Sequence, residues 1–169
     1  MTQVGIIMGS DSDLPIMEDA INILHKFGVS YAVKVSSAHR SLDRTVNWVR
    51  EFAAQGGQVI IAAAGLAAHL PGVVAAACTL PVIGVPIKSG ALEGVDALYA
   101  IVQMPPGIPV ATVGIGAARN AALLAIQILA LNDGEVRAEL QAYRTRLTAE
   151  VEAKDRALQE KLTEKGRSN

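Results

Sequence analysis

The sequence predicts an α/β fold, a three-layer αβα sandwich in which helices cover both faces of a central parallel sheet of about five strands, with a long helix at the carboxyl end. Three observations predict it. Short apolar runs alternate with stretches whose apolar residues recur at helical spacing. The runs are nearly continuous rather than alternating, as strands buried on both faces require. Polar clusters follow the first three runs, and open α/β sheets bind ligands just beyond the carboxyl ends of their strands.

Strands are expected at about 3–8, 31–36, 58–64, 82–86 and 109–113. The first leads into Gly9-Ser10-Asp11-Ser12-Asp13. Pro15 suits a helix's first turn, where its missing N–H is unpaired anyway, so a helix begins directly after this cluster. Met17, Ile21 and Leu24 give that helix an apolar face, His25 is expected to face solvent, and Gly28 stops it. The second strand ends at Ser37-Ala38-His39-Arg40. The next helix carries Leu42, Val46, Val49 and Ala53 before Gly56-Gly57. The third strand opens into Gly65-Leu66-Ala67-Ala68-His69-Leu70-Pro71-Gly72 and a short Ala-rich helix at about 70–79.

Next come a segment around Leu92 to Val102, the loop Met104-Pro105-Pro106-Gly107, the last strand, and an Ala/Leu helix at about 117–131 broken by Asn132-Asp133-Gly134. The final helix, about 135–160, aligns Val136, Leu140, Tyr143, Leu147 and Val151, and its tail is expected to fray at about 165–169. Such a stripe could cover a neighbouring subunit. No internal repeat or flexible linker divides the chain, so 1–169 is read as one domain.

Composition narrows the function. Hydrophobic residues make up 51% and charged residues 18% of the 169 positions, below the usual charged share of about 25%. That surplus points to buried subunit interfaces, hence a homo-oligomer. A formal charge of −1, with no basic run interleaved with aromatics, leaves no footprint for nucleic acid or an anionic membrane. The amino terminus enters a strand without a signal-peptide pattern, and Gly, Pro, His or Lys interrupts the apolar stretches before membrane-spanning length. The chain is therefore expected in the cytoplasm. Cys78, the single cysteine, sits among apolar residues and is expected to be a buried structural thiol.

Several motifs fail on inspection. Gly114-Ile115-Gly116-Ala117-Ala118-Arg119 half matches a dinucleotide fingerprint but lacks its last small residue and follows the final strand. Lys88-Ser89 follows a strand without the glycine pattern of a P-loop, and there is no Gly-x-Ser-x-Gly elbow. The third strand ends in Ala62-Ala63-Ala64-Gly65, where a phospho-acceptor would need Asp. Paired His or Cys ligand motifs are absent, and only His39, His69 and Asp13 could in principle gather around an ion; the expected metal set is none.

The strand-end clusters hold the candidate chemistry. At the helix start after the first strand, N–H groups and the helix dipole favour an anion, yet Asp13 repels one. The consistent division places Ser10 and backbone N–H groups near phosphate and lets Asp13 accept hydrogen bonds from ribose hydroxyls. Simple capping by Ser12 or Asp13 is the plainer reading of the same residues. Arg40 offers a fixed positive fork for a phosphate, and His39 beside it is an ionisable group among polar neighbours, unless it merely caps the next helix. His69, among small apolar residues, is expected to be desolvated and neutral, or simply packed at its helix start. Gly65, Gly72 and the alanines between them let a flat ligand approach the backbone.

Gly9-Ser10-x-Ser12-Asp13, Ser37-Ala38-His39-Arg40, Ala67-Ala68-His69-Leu70-Pro71-Gly72, Pro81-Val82-Ile83-Gly84-Val85-Pro86, Ile101-Val102-Gln103-Met104-Pro105 and Asn120-Ala121-Ala122-Leu123-Leu124-Ala125 occur in an order and spacing that resemble the class I N5-carboxyaminoimidazole ribonucleotide mutase (PurE) family, from about Val4 to Leu131. Arg40 and the His69 segment separate the chain from class II carboxylases, which typically read Ser-Ala-His-Lys. Leu66 departs from the pattern, standing where members usually have glycine, and its side chain is expected to narrow the pocket.

The resemblance implies a flavodoxin-like fold, a homo-octamer with sites at subunit junctions, and no metal or organic cofactor. It further implies a ribonucleotide substrate of purine biosynthesis whose carboxyl group moves from N5 to C4. By position, Ser10, Asp13 and Arg40 would hold the ribose phosphate, His39 would be the catalytic acid and base, and His69 would line the CO2 and imidazole region. Ser37, Ala38, Gly65, Ala67 and Leu70 complete the candidate binding set. A class II style carboxylase and a non-catalytic ribonucleotide-binding module are the competing expectations.

Overall fold

The computed structural model describes residues 2–167. Five strands, β1 (Val4–Met8), β2 (Tyr31–Val35), β3 (Val59–Gly65), β4 (Val82–Ile87) and β5 (Ala111–Thr112), form one parallel sheet in the order β2-β1-β3-β4-β5. This is the flavodoxin-like order, and its switch point lies between β1 and β3. Among the described residues six α-helices accompany the strands: α1 (Leu14–Lys26), α2 (Leu42–Ala54), α3 (Leu70–Ala77), α4 (Val95–Val102), α5 (Ala118–Leu129) and α6 (Gly134–Arg167).

The residues form two compact units, one reaching Leu129 and the other starting at Ala130. In the first, every residue of β1 and β4 is buried, as is all of β3 except Gly65 at its end. Because side chains alternate across a strand, the buried run supplies both faces of the sheet. Ile7, Ile60, Ala62 and Val82 join Val49 and Phe52 of α2, Leu70 and Val74 of α3, and Ala97 and Ile101 of α4 in one core. Helices α1 and α5 pack together, with α5 also against β3 and β4. Gly84 explains how closely α4 seats, since a Cβ there would lie 2.4 Å from Ile101 Cγ2. Fully burying an isoleucine such as Ile61 contributes roughly 1.5–3 kcal/mol, so this central layer dominates the stability of the sheet.

Element positions differ from expectation mainly at the margins. The last strand is two residues long, with Val113 N–H still donating to Gly84 O at 3.1 Å. It lies at the sheet edge, where only one neighbour reinforces it. Asp11–Asp13, expected as loop, winds into a 3-10 turn that runs straight into α1. In the second unit, Asp133 Oδ1 accepts from the N–H groups of Glu135 and Val136, both at 3.0 Å, which starts α6. Arg137 donates to the carbonyls of Ala130 at 2.9 Å and Leu131 at 2.8 Å. Helix α6 continues to Arg167, beyond the expected end and through the first part of the segment expected to fray; 168–169 lie outside the described residues. Among the described residues no helix is long and apolar enough to cross a membrane.

Candidate active site

Loops after β1, β2, β3 and β4 meet at the carboxyl end of the sheet around a cavity of about 250 Å3. All ten candidate residues line it: Ser10 and Asp13 after β1; Ser37, Ala38, His39 and Arg40 after β2; Gly65, Ala67, His69 and Leu70 at and after β3. The strand order explains the convergence, because β2 and β3 flank β1. With neighbouring strands about 4.8 Å apart, β2 and β3 stand about 10 Å from each other. Side chains reaching across the end of β1 close that gap. His39 Nε2 lies 2.7 Å from His69 Nδ1, with the rings nearly perpendicular at 85°.

The imidazole pair constrains proton placement. At 2.7 Å one nitrogen carries the hydrogen and the other accepts it, so an intact bond cannot hold protons on both facing nitrogens. Both rings are exposed to the cavity mouth. That corrects the expectation that His69 is desolvated by its apolar neighbours: Ala68 and Leu70 turn inward, whereas His69, at the N-cap of α3, turns outward and caps nothing.

The loop after β2 is braced from within. Ser36 is buried and its Oγ pairs with Thr45 Oγ1 at 2.8 Å, tying the strand end to α2. Ser41 Oγ donates to Ser37 O at 2.9 Å. Ser37 Oγ accepts from Arg40 N–H at 3.3 Å and from Arg40 Nε at 3.4 Å, which orients the guanidinium. Among the described residues Arg40 forms no ion pair with a carboxylate, so its charge faces the cavity uncompensated.

The first loop forms a reciprocal cap. Ser10 Oγ accepts from Ser12 N–H at 3.3 Å, and Asp13 Oδ2 accepts from Ser10 N–H at 3.2 Å. The amides of Ser10, Ser12, Asp13 and Leu14 are therefore used inside the turn. This shifts the anion-binding expectation away from backbone N–H groups and toward Arg40 and the serine hydroxyls. Asp13 is buried, and loss of water raises its carboxyl above the ordinary range, the Ser10 N–H opposing this and Asp11 adding to it.

Leu66 and Ser89 also line the cavity. Leu66 has φ +53, a backbone conformation that favours glycine, and its side chain is 54% exposed at the rim. Ser89 follows β4 and brings a fourth strand end to the cavity, a contribution that no motif around Lys88-Ser89 marks. Lys88 pairs with Glu93 instead of facing a phosphate loop. His25 is exposed; Cys78 is half-buried rather than buried, its Sγ donating to Val74 O at 3.5 Å and its thiol pushed up by burial. Among the described residues, no three of His, Cys, Asp or Glu gather in a way that could hold a metal ion.

Fold and cavity together define a flavodoxin-like α/β protein whose strand carboxyl ends hold a small cavity lined by two histidines, an arginine and an aspartate. The chain belongs to the AIR carboxylase family, whose model matches residues 3–150. It is 59% identical over 144 residues to the N5-carboxyaminoimidazole ribonucleotide mutase of Pyrococcus abyssi, covering 85% of this chain and 83% of that one. The enzyme of the same name from Pyrococcus horikoshii is 54% identical over 157 residues, covering 93% and 89%. The crystal structure of Treponema denticola PurE superposes with a TM-score of 0.84 at 32% identity, covering 90% of this chain and 96% of that one.

Proposed function

We propose that this chain is a mutase of purine biosynthesis that converts N5-carboxyaminoimidazole ribonucleotide to 4-carboxy-5-aminoimidazole ribonucleotide by releasing and recapturing CO2. One observation carries the reading: a 2.7 Å imidazole pair shares a small cavity with a guanidinium that has no carboxylate partner among the described residues and with a buried carboxylate. That set supplies a movable proton, a phosphate anchor and a hydroxyl acceptor.

In this scheme Arg40 and the Ser10 and Ser37 hydroxyls hold the phosphate, and the Asp13 oxygen not engaged by Ser10 accepts from the ribose. Ala38, Gly65, Ala67 and Leu70 form the walls around the ring. As the N5–carboxyl bond breaks, His39 gives N5 its proton and CO2 is freed beside Gly65 to Leu70. The electron-rich C4 attacks that CO2, and His39 removes the C4 proton, regaining what it gave. His69, bonded to His39, fixes the ring that moves the proton. General acid–base catalysis supplies about 10²- to 10⁴-fold, the remainder coming from orientation and CO2 retention. No metal or organic cofactor has a step in this scheme.

The family match crosses the boundary at Leu129, which supports treating 1–169 as one functional domain. The protein is proposed to be cytoplasmic and to work as a homo-oligomer, an octamer by resemblance. Exposure of Val33, Val35, Leu92, Tyr99 and Val102 supports association, since parallel sheets and their covering helices normally hide such residues. Light scattering at micromolar concentration should give a mass near eight chains. A monomer would contradict the oligomer.

The test of function follows purified protein with two substrates. Conversion of N5-carboxyaminoimidazole ribonucleotide without added bicarbonate is the expected result. Activity only with aminoimidazole ribonucleotide and high bicarbonate would make the chain a class II style carboxylase, and binding without product would make it a silent module.

A further inference from the structure

Among the described residues, two buried side-chain polar atoms lack a hydrogen-bond partner: Asp96 Oδ1, away from the cavity, and Ser89 Oγ, whose residue lines it. A buried hydroxyl left unpaired costs about 1–3 kcal/mol, so Ser89 is a poor choice at this position for packing alone. Gly65 accommodates it: a Cβ on residue 65 would lie 2.5 Å from Ser89 Oγ, so the strand end that walls the cavity is bare where this hydroxyl sits. The neighbouring Lys88–Glu93 pair engages the charged groups around the loop and leaves Ser89 Oγ unengaged.

We propose that Ser89 is a substrate-positioning residue whose hydroxyl donates to the migrating carboxyl group. Rotation about χ1 between staggered wells carries Oγ from its place against Gly65 to a ligand in the cavity, and the hydroxyl gains its missing partner only then. A single hydrogen bond to a charged group changes affinity on the order of 10- to 100-fold. The proposal rests on the mutase reading, because that reaction places a carboxylate or CO2 beside Gly65.

The test compares wild type and Ser89→Ala by calorimetry with two ligands, 4-carboxy-5-aminoimidazole ribonucleotide and aminoimidazole ribonucleotide, which differ by the carboxyl group. Ser89→Ala should weaken the carboxylated ligand about 10- to 100-fold and leave the other within about 2-fold. Its melting temperature without ligand should equal or exceed that of wild type, because the hydroxyl has no partner to lose. Equal weakening of both ligands, no weakening of either, or a lowered melting temperature would overturn the proposal. If wild type binds neither ligand, the mutase reading fails first, an outcome distinct from failure of Ser89.

Discussion

The two ends of the sheet carry cavities of opposite character. At the carboxyl ends of the strands, about 250 Å3 is bounded by two histidines, an arginine, an aspartate and four serines. At the opposite end, where Leu80-Pro81-Val82 and Ile108-Pro109 approach the sheet, a larger cavity of about 510 Å3 is lined mainly by apolar side chains with Thr79, Cys78 being its single titratable group. Chemistry, not volume, distinguishes the proposed site. Loops leaving strand carboxyl ends deliver polar side chains to helix amino termini, whereas the opposite end receives chain from helix carboxyl termini. The distinction is chemical, and mutations should separate the ends cleanly.

The largest effect is expected at His39. His39→Asn should cut kcat by at least about 10²- to 10⁴-fold while ligand affinity stays near wild type. Near-normal turnover would remove His39 from the mechanism. Next, Asp13→Ala should raise KM strongly with a smaller loss in kcat, measured by initial rates across substrate concentration. Unchanged KM would remove its ribose contact.

A pH profile sharpens the same residue. Burial raises the Asp13 carboxyl, so as pH falls it protonates before an ordinary aspartate would, and kcat/KM should decline on an acid limb beginning above the usual carboxylate range. Asp13→Asn should abolish that limb. The sign for stability is opposite: the folded protein binds this proton more tightly than the unfolded chain, so Asp13 ionisation opposes folding at neutral pH and the penalty fades as pH falls. Asp13→Asn should therefore not lower the melting temperature at pH 7. The smallest effect belongs to the other end of the sheet, where Cys78→Ala should leave kcat and KM unchanged. A loss beyond about 3-fold there would blur the contrast between the ends.

Much of this contrast is legible in the sequence. The buried strands read as apolar runs, and His39, Arg40 and Asp13 stand out because polar clusters interrupt those runs at a fixed topological place. Other features depend on packing across strands. The His39–His69 bond spans β1, and no local pattern encodes a 2.7 Å approach between residues thirty positions apart. His69 looks apolar in its segment, yet the chain entering α3 buries Ala68 and Leu70 and leaves His69 exposed. Leu66 carries no mark of its left-handed backbone in its own side chain, the glycine usual at this place in the resembling pattern being the hint. Ser89 belongs to no local motif; its unpaired hydroxyl emerges only when β3 and β4 bring it against Gly65.

The central claim is that one cavity releases and recaptures the same CO2. A single turnover of substrate carrying 13C in its N5 carboxyl group, run in unlabelled bicarbonate and read by mass spectrometry of the product, tests it directly. The mechanism predicts that most product retains the label at C4; product bearing carbon from bulk bicarbonate would contradict it.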